Sequence, residues 1–381
     1  MGTVGTGYTT LPDPLAAAAQ VVQQAKAGLE GKPTLAILFS TTDYDTEALV
    51  SAVQRHLGDV PLWGGTSSTG VFGGGGWITG EKGAASLMLL SNRPAGVGVA
   101  PVGDDPVTAG KTATAAALAQ AGGSARVLLT LAFMGPEEGL LDGVAQVAPG
   151  VPVVGGSSSD HTPEGKWRQF SNGHSYQGAF TIAALGGGTV GYAFAHGYKL
   201  TGKKAVITKA AGRRLIELDH RLPMDVYSEW TGKQKAELGG SAILPFSVLH
   251  PLLLHKEGVT LSVHPVGGND DGSIDTGVLL HEGQTLELGA GTPDELIGEV
   301  EKVVRDAAKS VAHPTAVLLA HCGGRAIALG DRIGEVAGKV QRAVPGLPWI
   351  GYLAFGEQGC ALPGQASHAT LSLSALVLGS G

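Results

Sequence analysis

The sequence predicts an α+β fold in two modules, built on repeated strand–helix–strand units and β-hairpins. Three observations carry this. "VPLWGGTSST" (Val60–Thr69) and "VPVVGGSSSD" (Val151–Asp160) repeat one pattern of apolar strand, glycine pair and hydroxyl cluster. Three longer segments share a wider grammar of apolar strand, polar loop, amphipathic helix, Pro-bounded turn and short strand. They begin "TLAILFSTTDYD", "ARVLLTLAFMGP" and "TAVLLAHCGGRA". Glycine is abundant, at 61 of 381 residues, without a collagen period.

The elements follow in order. In the first segment Leu49, Val53 and Leu57 recur at helical spacing; in the second Leu140, Val144 and Val147 do. A continuously apolar strand before such a helix is one covered on at least one face. "GAASLMLLS" and "VGVAPV", joined by a Pro/Gly turn, read as a hairpin. So does "GAFTIAALGGGTVGYAFAHG", around three glycines. "AGRRLIELDHRLPMDVYSEW" reads as a charged helix, and "VTLSVHPVGGNDDGSIDTG" as strand, turn, strand. "TPDELIGEVEKVVRDAAKSV" is a helix with Thr292 as N-cap, Pro293 at N1 and Glu295 at N3. "HATLSLSALVLG" closes the chain as a strand. The division falls near Lys204–Arg214, giving domains over 30–212 and 213–365.

Composition excludes several classes. The net charge is −7, with no basic stripe, so no nucleic-acid partner is expected. Cys322 and Cys360 give neither a disulfide framework nor a zinc set, and a reducing cytoplasm is the expected location. "MGTVGTGYTT" lacks the features of a signal peptide, and no stretch is long and apolar enough to insert in a membrane. "GGGTVG" precedes a strand, not a helix, so it is a turn rather than a dinucleotide fingerprint. "GKT" at Gly110–Thr112 lacks the earlier glycine of a P-loop, since position 105 is Asp105. "GGNDDGSID" fails EF-hand spacing, and no HExxH or paired CxxC is present, so no metal is expected.

The candidate site residues cluster after the strands. Two glycines let a strand end bend and expose N–H donors, and hydroxyls beside them supply more. Thr66, Ser67 and Ser68 form one such bend; Ser157, Ser158, Ser159 and Asp160 form its counterpart. The competing reading is a structural turn in which these side chains cap local backbone. Arg325, after the third strand, suits a ligand carboxylate, or else orders its loop with Asp331. Tyr352 and Glu357 in "GYLAFGEQG" occupy the place of the serine bends in the third segment, where a Glu would meet a ligand amine. Neither serine cluster matches G-x-S-x-G, and no His/Asp arrangement supports Cys322. The chain is therefore read as no enzyme, with a hydrolase using a serine or Cys322 as the alternative.

The ordered set "GGTSSTG", "GGSSSD", "FAHGYKLTGK", "ELDHRLPMDVYSEW", "HCGGR" and "GYLAFGEQG" resembles FIST proteins, from about Thr34 to about Cys360, as an N-terminal and a C-terminal FIST module. The resemblance implies a sensory module for a small polar ligand such as an amino acid or similar carboxylate. It also implies a signalling partner in trans, such as a histidine kinase, since the chain has no room for an attached output domain. Some members resemble haem-binding nitric-oxide sensors. For them the resemblance would make His196 a ligand of haem b, while the primary reading has no cofactor. A third reading is an interaction scaffold without a small ligand. Where the family commonly has a "TYGEI"-like motif this chain has "AFGEQ" at Ala354–Gln358, and its "HGW"-like turn is His196-Gly197-Tyr198.

Overall fold

Residues 2–380 are described by the structure, a computed structural model. It is mixed α+β, with three six-stranded sheets and one of seven strands. The three six-stranded sheets repeat one connectivity. An edge strand leads to a helix, a buried strand, a second helix and a parallel neighbour strand. A short hairpin then departs, and a return strand comes home.

In the first unit these are Val4–Thr9, helix Pro14–Gly28, Pro33–Ser40, helix Thr46–Leu57, Leu62–Thr66, hairpin Val71–Gly73/Gly76–Ile78, and return strand Ala85–Ser91. In the second they are Ala95–Pro101, helix Pro106–Gln120, Val127–Ala132, helix Glu137–Val147, Val153–Ser157, hairpin Gln169–Ser171/His174–Tyr176, and Ala179–Leu185. The third has Thr189–Ala195, helix Pro293–Ala308, Pro314–Cys322, helices Gly323–Leu329 and Glu335–Ala343, Trp349–Ala354, hairpin Glu357–Leu362/Gln365–Ala369, and Leu373–Gly379. The seven-stranded sheet lies within Lys199–Ala290, inserted between the edge strand of the third unit and its first helix.

None of the three departing hairpins joins its own sheet. Val71–Gly73 pairs with Trp349–Ala354 of the third unit. Gln169–Ser171 pairs with Leu62–Thr66 of the first. Glu357–Leu362 pairs with Val153–Ser157 of the second. The three units thus exchange hairpins in a closed ring. The parallel pairs keep one register throughout, with Ala36 opposite Leu62, Leu128 opposite Val153 and Val317 opposite Trp349.

The same topology corrects the two hairpins expected from sequence. Ala85–Ser91 and Ala95–Pro101 lie in different sheets, as do Ala179–Leu185 and Thr189–Ala195. Their turns carry the chain from one unit to the next, because each edge strand pairs with the return strand of its own unit. The "AGRRLIELDHR" half of the expected charged helix is a strand, Arg214–Leu218, and the helix begins only at Pro223. Asp219 and His220, with φ of 47° and 61°, separate the two. The expected division near Lys204–Arg214 falls at the end of one long strand of the inserted sheet, Lys199–Ala211. The helices Pro14–Gly28 and Pro106–Gln120 were not signalled by periodicity. Their buried faces are mostly alanine, so apolar and exposed positions look alike.

The inner faces of the three sheets share one core. Phe39 and Trp63 of the first unit, Leu129 and Leu131 of the second, and Ile350, Tyr352 and Leu376 of the third belong to a single buried cluster. Helices cover the outer faces, with Leu49, Val50 and Val53 buried in the first unit and Val300, Val303 and Val304 in the third. Edge strands press onto helix backbone, which explains part of the glycine count. A Cβ on Gly98 would sit 1.9 Å from Ala113 O.

Candidate functional site

The bends that end the parallel strands meet where the three units converge. Ser159 N–H donates to Thr66 O at 3.0 Å, and Phe355 N–H donates to Ser157 O at 3.1 Å. Leu353 N–H donates to the Ser67 hydroxyl at 2.8 Å, and Ser159 Oγ donates to Leu353 O. Each unit is thereby tied to the other two through strand-end backbone.

The hydroxyls are largely engaged in this knitting. Ser67 Oγ donates to Gly70 O. Ser158 Oγ donates to Ala132 O at 3.0 Å and accepts from Gln169 Nε2. Thr66 Oγ1 accepts from Arg168 N–H at 2.9 Å. Asp160 Oδ2 takes the N–H groups of Glu164 and Lys166, while its Oδ1 has no partner among the described residues. Thr66, Ser67, Ser68, the three serines and Asp160 are all buried.

The glycines have a specific reason. Gly65, Gly156 and Tyr352 occupy equivalent register positions, each opposite the first residue of a received hairpin. Tyr352 fills the shared interior and stacks on Phe39 at 4.1 Å between ring centroids. A Cβ on Gly156 would stand 2.8 Å from the Ala354 Cβ and 3.2 Å from the Tyr352 hydroxyl. At this level the Ala354 methyl, the Gly356 carbonyl and the Tyr352 hydroxyl occupy the space that a side chain at Gly156 would need.

Arg325 and Glu357 sit beside Cys322, and Glu357 also adjoins the second serine bend, opposite Gly156. Arg325 is fully buried and donates to three carbonyls, His196 O, Leu371 O and Leu296 O. Asp331 is exposed and does not pair with it. Glu357 Oε2 accepts from Ser372 N–H at 2.9 Å, and Oε1 has no partner among the described residues. Burial pushes the Glu357 carboxyl up. Burial, and then the Glu357 charge, push the Cys322 thiol up as well, away from the thiolate a nucleophile needs. His196 has both ring nitrogens engaged, Nε2 with Thr260 Oγ1 at 2.9 Å and Nδ1 accepting from Tyr198 N–H at 3.0 Å. One of these two bonds would have to break for a ring nitrogen to meet a haem iron. Burial and the nearby Arg325 hold its pKa down to about 4.

A second polar cluster adjoins the bends, and sequence did not reveal it. Glu137 and Glu138 begin the second helix of the second unit, His368 comes from the hairpin of the third, and Arg213 from the inserted sheet. Arg213 Nη2 bridges Glu137 Oε2 at 2.7 Å and Glu138 Oε2 at 2.6 Å. Glu138 Oε1 accepts from His368 Nδ1 at 3.0 Å and from Leu279 N–H at 2.8 Å. Ser157 Oγ donates to Glu137 Oε1 at 3.0 Å, which links this cluster to the bends. His368 Nε2 lies 3.7 Å from Glu137 Oε1 and has no hydrogen-bond partner among the described residues. Burial would raise the Glu138 carboxyl, but the His368 hydrogen bond and charge, with Arg213 and the Leu279 N–H, hold it well below the carboxylate range. Glu137 and His368 are buried, whereas the Glu138 and Arg213 side chains keep 25% and 24% exposure. This is the edge at which solvent reaches the cluster.

Ligating atoms of Glu137, Glu138 and His368 lie within 4.8 Å of one another. The Arg213 guanidinium already supplies the cation between the two carboxylates, so the arrangement is a paired network rather than a metal cradle. The sequence signal was faint. "GPEEG" shows two glutamates opening a helix, but nothing in the chain's order brings "GRR" and "SHA" to them.

Comparison with known proteins places this architecture. Two uncharacterized proteins of Mycobacterium tuberculosis, from strains CDC 1551 / Oshkosh and ATCC 25618 / H37Rv, are each 25% identical over 387 residues, covering 98% of this chain and 99% of the relative. Among solved structures, PurLQS from Thermotoga maritima aligns over 99% of this chain and 72% of that one, at 8% identity and a TM-score of 0.25. A likeness at that TM-score carries no structural argument. The FIST N domain matches residues 34–221 and the FIST C domain residues 223–360. The chain therefore belongs to the FIST family, whose domains are sensory modules of signal transduction.

Proposed function

We propose that this protein is a non-enzymatic sensor of a small polar ligand, an amino acid or related carboxylate, which it binds at the junction of Glu137, Glu138, Arg213 and His368. Occupancy is passed to a separate signalling protein such as a histidine kinase. The observation that carries the reading is the Arg213 bridge, partly open to solvent, with both charge signs in one place. Two carboxylates suit a ligand ammonium, and a guanidinium suits a ligand carboxylate. In this arrangement Arg213 occupies the position the ligand ammonium would take. An amino acid would draw Arg213 onto its own carboxylate and set its ammonium between the glutamates.

Such binding changes what the inserted sheet holds. Arg213 leads into the strand Arg214–Leu218, and Leu279 N–H of the same region contacts Glu138. A ligand that replaces the bridge makes different contacts in two arrangements of these parts, which is the condition for shifting a population. The absence of an activated nucleophile at Cys322 supports the non-enzymatic reading.

A thermal-shift screen over amino acids and short organic acids tests this, with wild type and Glu138→Gln run in parallel. The reading expects at least one compound to raise Tm in wild type and to lose its effect in the variant. A screen in which nothing moves the wild-type Tm, or in which Glu138→Gln responds equally, overturns it.

A further inference from the structure

A second site stands at the other end of the units. The parallel strands begin there, with Pro33 opposite Ser91 and Pro314 opposite Gly379. The passages between units gather at this end. Gly186 N–H donates to Pro94 O at 2.8 Å, and a Cβ on Gly188 would lie 2.5 Å from both Arg93 Nη2 and Gly379 O. Arg93 Nη2 donates to Gly379 O at 2.7 Å and so clasps the first passage to the last strand of the third unit.

Beside this clasp is a cavity of about 110 Å³, lined by Thr3, Ser91, Arg93, Gly188, Thr315 and Ser380 among others. It has room for more than one water, whose share of liquid volume is about 30 Å³. A wider cleft of about 600 Å³ shares Thr3, Val4 and Thr315 with it. Arg93 is 8% exposed, and its Nη1 has no hydrogen-bond partner among the described residues. Burial lowers its pKa, with no carboxylate of the described residues acting against that. A guanidinium this deep without a counter-charge among the described residues is costly. Its planar fork matches the oxygens of a carboxylate or phosphate.

We infer that this cavity binds a small oxyanion, a phosphate or carboxylate group held by Arg93 with the hydroxyls around it. The oxyanion neutralises the buried cation and braces the point where the ring of units closes. This inference stands apart from the ligand at Glu138 and Arg213, whose residues belong to the opposite end of the units.

The test is titration calorimetry and Tm measurement with inorganic phosphate, glycerol phosphate and acetate, against sodium chloride at matched ionic strength. Saturable binding by wild type is expected, weakened about tenfold or more in Arg93→Met. Tighter binding of glycerol phosphate assigns the site to the headgroup of a larger molecule lying in the adjoining cleft; equal or weaker binding assigns it to the free ion. If Arg93→Met does not fold, Thr315→Phe, which fills the cavity from its other wall, takes its place. No saturable binding by wild type, or full binding by the folded variant, overturns the inference.

Discussion

Gly156 and Tyr352 hold equivalent places in two units. Ala354, Gly356 and the Tyr352 hydroxyl crowd the volume that Gly156 leaves bare, so the glycine serves packing at the convergence of strands. Gly156→Ala is expected to destabilise by about 1–3 kcal/mol, because its methyl group meets Ala354 and the Gly356 carbonyl, 2.9 Å away. Urea unfolding reads this, and an unchanged midpoint contradicts it. Tyr352→Phe has a different sign. The Tyr352 hydroxyl is buried without a partner, so removing it is expected to be neutral or stabilising, within about 1 kcal/mol. A loss of more than that in the same assay means the hydroxyl is satisfied in solution. At this scale the sequence showed which residues cluster but not which atoms they reach. Ser157–Ser159 were legible as a bend, whereas Glu137, Arg213 and His368 come from three separate stretches that only the fold brings together.

At the scale of elements, strands and helices within each unit were legible because their apolar runs and caps are local. Thr292, Pro293 and Glu295 form the capping box that their order announces. Strand partners were not legible. A short turn between apolar runs looks the same whether the chain folds back on itself or crosses to the next sheet. The turn at Asn92 crosses, and so do those after Ile78 and Tyr176, whose hairpins serve other units. The exchange makes a distant consequence measurable. Phe72 belongs by sequence to the first unit but packs on Trp349 of the third, with ring centroids 6.1 Å apart. Phe72→Ala is expected to cost about 3–5 kcal/mol and to speed amide exchange in Trp349–Ala354. Faster exchange confined to Pro33–Ser40 contradicts the exchange of hairpins.

Across the whole molecule, three histidines are held neutral by burial. His196 and His264 are held down to about 4, and His321 to about 3; for all three burial is the leading cause. Their folded values lie below the unfolded value of about 6.5, so the stability they support is present above that pH. It is lost as pH falls from about 6.5 toward 4, when the unfolded chain takes up protons that the folded one refuses. The urea midpoint is therefore expected to drop steeply across that window, more than in a variant with His321→Gln. A flat profile down to pH 4 contradicts it. The cyclic hairpin exchange and the Leu279 N–H bond to Glu138 also join the FIST N and FIST C regions. A change at the bridge is thus felt by the inserted sheet and by two units together. Titration calorimetry of wild type with amino acids and short carboxylates tests this sensing junction most directly. The account predicts a heat of binding for at least one compound, lost in Glu138→Gln and in Arg213→Met while both variants remain folded. No heat with any compound, or an undiminished heat in both folded variants, contradicts it.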